Sequence, residues 1–419
     1  MDLPTTPCPT AAPVGAPAPP PWAGARPAGG PPVLLMAVAG AVTVANLYFP
    51  QPLLAAVARG LRVSEQTAGL VASAAQVGYA LGILLIVPLA DTARLRLLTT
   101  TLLALTSCGL VVAAAAPNLL TLTLATLALS TTTVLPQVLT PVAAALAGPG
   151  RRGRAVGTLG LGLTLGSTVS RTVSGAASDA GGTWRAAYVV AAVATAALLF
   201  LLPRALPDRA GTAGHRLPYR RLLASLPQLL VDHREVRVSA AIGASVFAAY
   251  SVFWATLAFH LATPPLGFGA GVAGLFGLLS VPGALLSAYA GPLADRFGAQ
   301  AVNAWSLLCL AVSLALVGFG AHSPVALVAG ANLLVLGTSA SQVANQARIF
   351  ALSPSVAARV NTVFMLSSFG GGALGSFTAA RLYGSYGWTA AVLAAAGFSV
   401  AAALVVARAR RGGPELRPA

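Results

Sequence analysis

The chain alternates between long apolar stretches and short polar ones. A helix needs about 20 consecutive apolar residues to cross a bilayer, and twelve stretches approach or exceed that length. They lie at residues 33–56, 66–90, 97–116, 119–146, 155–178, 186–203, 238–262, 271–292, 300–320, 324–350, 360–383 and 389–407. The pattern therefore predicts an all-α integral membrane protein with twelve transmembrane helices.

Composition and charge placement support this interpretation. Hydrophobic residues make up 57% of the 419 residues and charged residues only 8%, whereas soluble domains carry roughly 25% charged residues. The net charge of +16 comes from arginine. Twenty arginines fall in the tails and in loops that alternate with those holding Arg59, Arg62, Arg185 and Arg381. Because positively charged loops stay on the cytoplasmic side of a membrane, we expect both termini in the cytoplasm. The basic charge is explained by this placement, so we expect a lipid bilayer as the partner and no nucleic acid.

Two repeated marks indicate an internal duplication. The tetrapeptide Pro-Leu-Ala-Asp occurs at Pro88 and again at Pro292, and Trp184 recurs as Trp388, both at a separation of 204 residues. A fixed offset is the sign of a repeated unit. The sequence therefore predicts a disordered cytoplasmic tail (1–32), a six-helix bundle (33–203), a cytoplasmic linker (204–237), a second six-helix bundle (238–407) and a cytoplasmic tail (408–419).

Within the predicted linker, leucines recur at helical spacing from Leu222 to Leu230, beside Arg220 and Arg221. This spacing is typical of a short helix lying on a membrane surface. Pro227 interrupts the pattern, so a plain loop is an equal alternative.

The loop between the eighth and ninth stretches carries a recognisable motif. It reads Gly291-Pro-Leu-Ala-Asp295-Arg296-Phe-Gly298 and resembles the signature loop of the major facilitator superfamily. The stretches that begin at Asn46, Arg171 and Asn345 are similar to bacterial drug and metabolite efflux members, the drug/proton antiporter branch. The resemblance covers residues 33 to 407.

That resemblance implies two pseudo-symmetric six-helix bundles with a substrate cavity between them and alternating access. It implies that Gly291, Asp295, Arg296 and Gly298 belong to a gate at the cytoplasmic face. The first copy of the motif retains Asp91 but not the glycines or the adjacent basic residue. Asp91 either pairs with a basic residue of the next inner loop, or caps a helix, or ends one in solvent.

Polar and aromatic residues inside the spans are candidates for the cavity, since spans one, four, seven and ten line it in the family. The candidates are Asn46, Gln51, Gln137, Arg171, Tyr250, Trp254, Gln342, Asn345 and Gln346. The alternatives are hydrogen bonds between helices for the amides and core packing for the aromatics. Arg171 either faces the cavity, favouring an anionic or strongly hydrogen-bonding substrate, or extends its guanidinium to the membrane surface.

Acidic residues are absent from the middle of every predicted span. Intramembrane carboxylates usually mark proton pathways, so the candidates for proton coupling are the peripheral Asp179 and His260. The alternative for each is an interfacial position with no such role.

Together these features predict a secondary active transporter that exports a drug-like or amphiphilic metabolite across a bacterial cytoplasmic membrane. The resemblance to the drug/proton antiporter branch implies that this export is coupled to protons. The alternatives are a facilitator or an exporter of organic anions or sugars without proton coupling and, more distantly, a membrane-embedded enzyme or a signalling protein. We expect the protein to be a monomer. We expect it to have no enzyme activity and to bind no cofactor or metal.

Overall fold

A computed structural model describes residues 31–91, 93–147, 151–206, 219–352 and 357–411. Most of the tail predicted at 1–32, the residues after 411 and part of the predicted linker lie outside these ranges. The described chain is almost entirely helical.

Nine helices belong to the first half of the chain. They are α1 (Pro31–Tyr48), α2 (Leu54–Leu61), α3 (Glu65–Ala68), α4 (Leu70–Leu85), α5 (Leu95–Ala114), α6 (Leu119–Thr132), α7 (Leu135–Leu146), α8 (Arg152–Ala180) and α9 (Trp184–Ala205). Eight follow in the second half. They are α10 (Tyr219–Asp232), α11 (Arg234–Ala262), α12 (Ala270–Leu279), α13 (Val281–Leu286), α14 (Ala290–Phe297), α15 (Ala299–Phe319), α16 (Pro324–Phe350) and α17 (Ala357–Arg411). Short 3-10 segments occupy Gln51–Leu53, Val87–Asp91 and Ser287–Tyr289.

These elements form the twelve predicted spans. In the described part of the chain, ten helical segments are long and apolar enough to cross a membrane. One of them, α17, contains two spans: it is 55 residues long and loses helical geometry at Gly387. At 1.5 Å per residue it measures about 80 Å, more than twice the bilayer core. The more polar α8 is the remaining span, with 29 residues. The predicted all-α fold is confirmed.

Glycines bring equivalent helices into close contact in the two halves. Backbones approach closely where glycines replace larger residues, which stabilises helix pairs in lipid. The contacts pair Gly162 with Ala37, Gly166 with Ala41, Gly371 with Ala244 and Gly375 with Ala248. A Cβ added to any of these four glycines would lie 2.1 to 2.6 Å from a carbonyl oxygen. Helix α8 thus packs on α1 as α17 packs on α11, which gives the pseudo-symmetry expected from the duplication.

The repeated tryptophans occupy equivalent places. Trp184 is the first residue of α9, and Trp388 follows the break at Gly387 in α17. Both side chains are buried, and the indole N–H of Trp388 donates to the carbonyl oxygen of Val317 at 2.8 Å. Each tryptophan therefore begins the last span of its half.

The segment before the second half is helical. Helix α10 continues through Pro227, so the helical alternative for the linker is the one that forms. Its Tyr219 hydroxyl donates to the carbonyl oxygen of Leu85 in the first half at 2.9 Å. Arg359 of the second half donates to the Ser225 hydroxyl at 3.3 Å. Helix α10 therefore contacts both halves.

Candidate functional site

A cavity of about 230 Å³ lies between the two halves. Aromatic side chains form one part of its lining, and these are Tyr48, Tyr79, Phe247, Tyr250, Phe364 and Phe369. Polar side chains form another, and they include Gln137, Ser167, Thr338, Ser341, Gln342 and Ser368. Arg171 is the only charged residue among the described residues that line it. A mixed surface of this kind suits a small amphiphilic molecule.

The two halves meet closely at the end of the molecule that contains Asp179. A Cβ added to Gly274 of α12 would lie 2.4 Å from the carbonyl oxygen of Arg171, and one added to Gly175 of α8 would lie 2.3 Å from that of Ala270. The cavity lining from α8 runs from Leu163 to Arg171. Along α8, the cavity therefore stops at Arg171 and lies on the side of Arg171 that faces the Asp295 end of the molecule.

Arg171 is buried at this closed end of the cavity, with 2% of its surface exposed. Its Nε donates to the Gln51 side-chain oxygen at 2.8 Å, its Nη1 to the carbonyl oxygen of Ser167 at 2.6 Å and its Nη2 to the Tyr250 hydroxyl at 2.8 Å. The guanidinium therefore points into the protein and does not extend to the membrane surface.

Three aromatic rings surround the same guanidinium. Its carbon lies 3.9 Å from the centre of the Trp254 ring, 4.7 Å from that of Tyr48 and 5.9 Å from that of Tyr250. Rings within about 6 Å attract a cation through their negative faces. Gln51, Arg171, Tyr250 and Trp254, all predicted as candidates, thus form one cluster from both halves.

Two predicted amides line the cavity away from this cluster. Gln137 and Gln342 are half-buried in the lining, and Tyr79 lines the same cavity. They give the cavity neutral donors and acceptors on both halves.

Three other predicted amides bind neighbouring helices. The Asn46 amide donates to the Thr195 hydroxyl at 3.1 Å, the Asn345 amide to the Asn303 side-chain oxygen at 3.0 Å and the Gln346 amide to the Asn361 side-chain oxygen at 3.2 Å. None of the three lines the cavity. Their bonds join α1 to α9, α15 to α16 and α16 to α17.

The candidates for proton coupling lie outside the cavity lining. Asp179 of α8 accepts the backbone N–H of Gly271 in α12 at 2.9 Å, which joins the two halves at the closed end. His260 of α11 is buried; its Nε2 lies 2.7 Å from the Ala321 carbonyl oxygen and its ring stacks on Trp388 at 4.1 Å.

The signature-loop residues lie at the Asp295 end. Asp295 and Arg296 are exposed near the end of α14, and Arg296 lies over the ring of Phe297. Gly298 has φ 84° between α14 and α15, whereas a Cβ on Gly291 would meet nothing within 4 Å. The Asp91 backbone ends a 3-10 segment, and its side chain lies outside the described structure.

Several residues that line the cavity were not predicted from the sequence. The tyrosines and phenylalanines on α1, α4 and α17 carry no polar pattern that separates them from packed aromatics. Hydroxyl residues were equally hard to identify because serine and threonine in spans usually bond to their own helix, as Ser167 does to Thr164. Among the described residues, no three potential metal-ligating side chains come together.

Comparison with known proteins decides the family. The sequence profile of the Major Facilitator Superfamily matches residues 36–279 and 238–419. The chain is 36% identical over 373 residues to the transporter YgaY of Escherichia coli O157:H7, covering 89% of this chain and 94% of that protein. The chain belongs to the major facilitator superfamily. It is therefore a membrane transporter and not an enzyme.

Further relatives and solved structures agree with this assignment. A probable transporter of Streptomyces coelicolor is 34% identical over 393 residues, covering 92% of this chain and 89% of that one. The fold matches a bacterial homologue of the lysosomal transporter Spinster in an inward-facing, occupied conformation, with a TM-score of 0.72, 14% identity and 91% and 96% coverage of the two chains. It also matches the nucleoside transporter NupG, with a TM-score of 0.70, 16% identity and 91% and 100% coverage.

Proposed function

We propose that this transporter exports a small amphiphilic molecule, a drug-like compound or a metabolite, from the cytoplasm by alternating access. The observation that carries this proposal is the cavity between the halves, whose lining combines aromatic rings with amides and hydroxyls. Aromatic surface binds an apolar body, and a few polar groups orient its polar end.

The placement of arginine supports an orientation. The Asp295 end carries Arg94, Arg96 and Arg296, which fits the cytoplasmic face under the positive-inside rule. In this orientation the cavity extends toward the cytoplasm and is closed toward the outside by α8 and α12. A substrate would enter from the cytoplasm and leave when the closed end opens.

We propose further that protons are linked to this cycle through Asp179. A carboxylate that accepts an N–H bond is stronger as an acceptor when ionised, so protonation weakens the bond between Asp179 and Gly271 across the halves. Arg59 of α2 and Arg185 of α9 line the same surface cleft as Asp179. Opening of this end would then depend on the proton concentration outside.

Transport in everted vesicles tests both parts. The probe is N-phenyl-1-naphthylamine, a neutral fluorescent amphiphile, and we expect accumulation that depends on the transporter and increases with an imposed proton gradient. If accumulation of the probe does not change with the proton gradient, proton linkage is refuted but export is not. Absence of movement of this probe and of its sulfonated relative, 1-anilinonaphthalene-8-sulfonate, would refute amphiphile export.

Two variants localise the proton effect. We expect Asp179→Asn to retain gradient-independent movement of the probe and to lose the increase with the gradient. Asp232→Asn is the matched control, because Asp232 is an exposed carboxylate on α10. An unchanged gradient response in Asp179→Asn would exclude Asp179 as the linked group.

A further inference from the structure

Among the described residues, no carboxylate pairs with the buried charge of Arg171. Its three hydrogen bonds go to an amide oxygen, a carbonyl oxygen and a hydroxyl. Arginine has five N–H groups, so two have no partner among the described residues. Arg171 also lines the cavity. The unused donors therefore belong to a group that a substrate can reach.

Such a charge is expensive to bury. Removing an ionised side chain from water costs several kcal/mol unless an opposite charge or hydrogen bonds compensate. The neutral partners of Arg171 and the three rings around it compensate in part. None of the described lining residues is an aspartate or a glutamate, so the closed end of the cavity has an excess positive charge that an anion would neutralise.

Arg171 also joins the two halves across the cavity. The guanidinium is held by Gln51 and Ser167 of the first half. On the other side it donates to Tyr250 and stacks on Trp254, both from α11 of the second half. Nη2 carries two N–H groups and gives one of them to the Tyr250 hydroxyl. A ligand whose oxygens take this N–H as well as an unused one replaces the Tyr250 hydroxyl, and therefore a bond between the halves.

We infer that the substrate is an organic anion with an aromatic or similarly flat apolar body, whose carboxylate or sulfonate binds Arg171 and replaces the hydroxyl of Tyr250 as its partner. The guanidinium plane matches a two-oxygen acceptor through paired N–H bonds. The apolar body lies among the lining aromatics. Binding neutralises the buried charge and releases one contact that joins α8 to α11.

This inference rests on the proposed function, because it specifies the charge of the exported molecule. It is tested by binding alone, so a transporter that binds the anion but fails to move it would count against the proposed export and leave this inference standing.

The experiment measures binding of three probes that share one ring system to the purified transporter in detergent. The probes are naphthalene-2-carboxylate, naphthalene-2-carboxamide and naphthalen-2-ylmethylammonium, and the readouts are the melting temperature and quenching of tryptophan fluorescence. A hydrogen bond to a charged group contributes about 1.5–3 kcal/mol. We therefore expect the carboxylate to bind roughly 10- to 150-fold more tightly than the carboxamide, and the ammonium to bind most weakly.

Three variants separate charge from shape. Arg171→Gln should bind the carboxylate and the carboxamide equally, whereas Arg171→Lys should retain a reduced preference because it retains the charge without the paired donors. Tyr250→Phe should retain the full preference and bind the carboxylate at least as tightly as the unmodified transporter, because the competing hydroxyl is gone. The melting temperature of each empty variant verifies that it is folded.

Equal affinities for the carboxylate and the carboxamide in the unmodified transporter would overturn the inference. A preference that persists in Arg171→Gln would also overturn it, since the anion would then bind elsewhere. If Arg171→Gln does not fold, the result for Tyr250→Phe decides: loss of anion preference there would refute the competition between ligand and Tyr250.

Discussion

The contact between α8 and α12 at the closed end makes a sharp prediction about conformation. Gly274 of α12 lies against the backbone of Arg171 in α8. In Gly274→Ala, the new methyl carbon would lie 2.4 Å from the Arg171 carbonyl oxygen. Because that oxygen belongs to a helix backbone, no side chain can move aside to relieve the overlap. The two helices must separate.

The size of the effect follows from the overlap. An ordinary contact between these atoms is about 3.4 Å, so the helices must move apart by about 1 Å, and overpacking of this kind costs roughly 1–3 kcal/mol. The cost applies to the conformation in which this end is closed and not to one in which α8 and α12 have separated. Since about 1.4 kcal/mol corresponds to a tenfold change, we expect the open population to rise roughly 5- to 140-fold.

Labelling of a buried cysteine at the closed end measures this population. Ser178 of α8 is 5% exposed, so Ser178→Cys, with the three native cysteines replaced by alanine, should react slowly with a membrane-impermeant maleimide. Gly274→Ala should increase the rate in proportion to the open population. Gly160→Ala is the control, because a Cβ on Gly160 of α8 meets nothing within 4 Å. Equal labelling rates in the two variants would refute the reasoning.

Two further predictions concern stability. Asn345→Leu should lower the free energy of unfolding, measured by chemical denaturation, by about 1–3 kcal/mol, because it leaves the buried Asn303 without its amide partner. Gln342→Leu should change the affinity for the probe and leave the free energy of unfolding unchanged. The opposite pattern would contradict these assignments. Gly298→Ala should lower the melting temperature because φ at Gly298 is 84°, a conformation costing about 1–3 kcal/mol for other residues; Gly291→Ala should leave it unchanged, and equal losses would contradict the backbone explanation.

Much of the fold was predictable because lipid imposes a strict requirement. A spanning helix must be apolar over most of its length and satisfy its own backbone hydrogen bonds, so hydropathy locates the spans. The ends were less certain: α11 begins at Arg234 rather than at residue 238, since the first turn of a helix can carry charge outside the hydrocarbon.

The candidate site was only partly predictable, and span ten shows why. Gln342 and Asn345 are three residues apart on α16, about 60° apart around the helix axis. Gln342 lines the cavity, whereas Asn345 is fully buried against Asn303 of α15. The boundary between cavity and helix contact passes between them. Helical periodicity identifies a shared face but does not say where along that face a neighbouring helix ends.

Local hydropathy and short motifs were enough to predict the class of protein, its twelve spans, its duplication and its family. Which polar groups meet became clear only from the packed helices. Asp179 and Gly271 are 92 residues apart, Arg171 and Gln51 are 120 apart, and Arg171 and Tyr250 belong to different halves. Such contacts depend on how whole helices are rotated and packed against each other, and no local pattern contains that information.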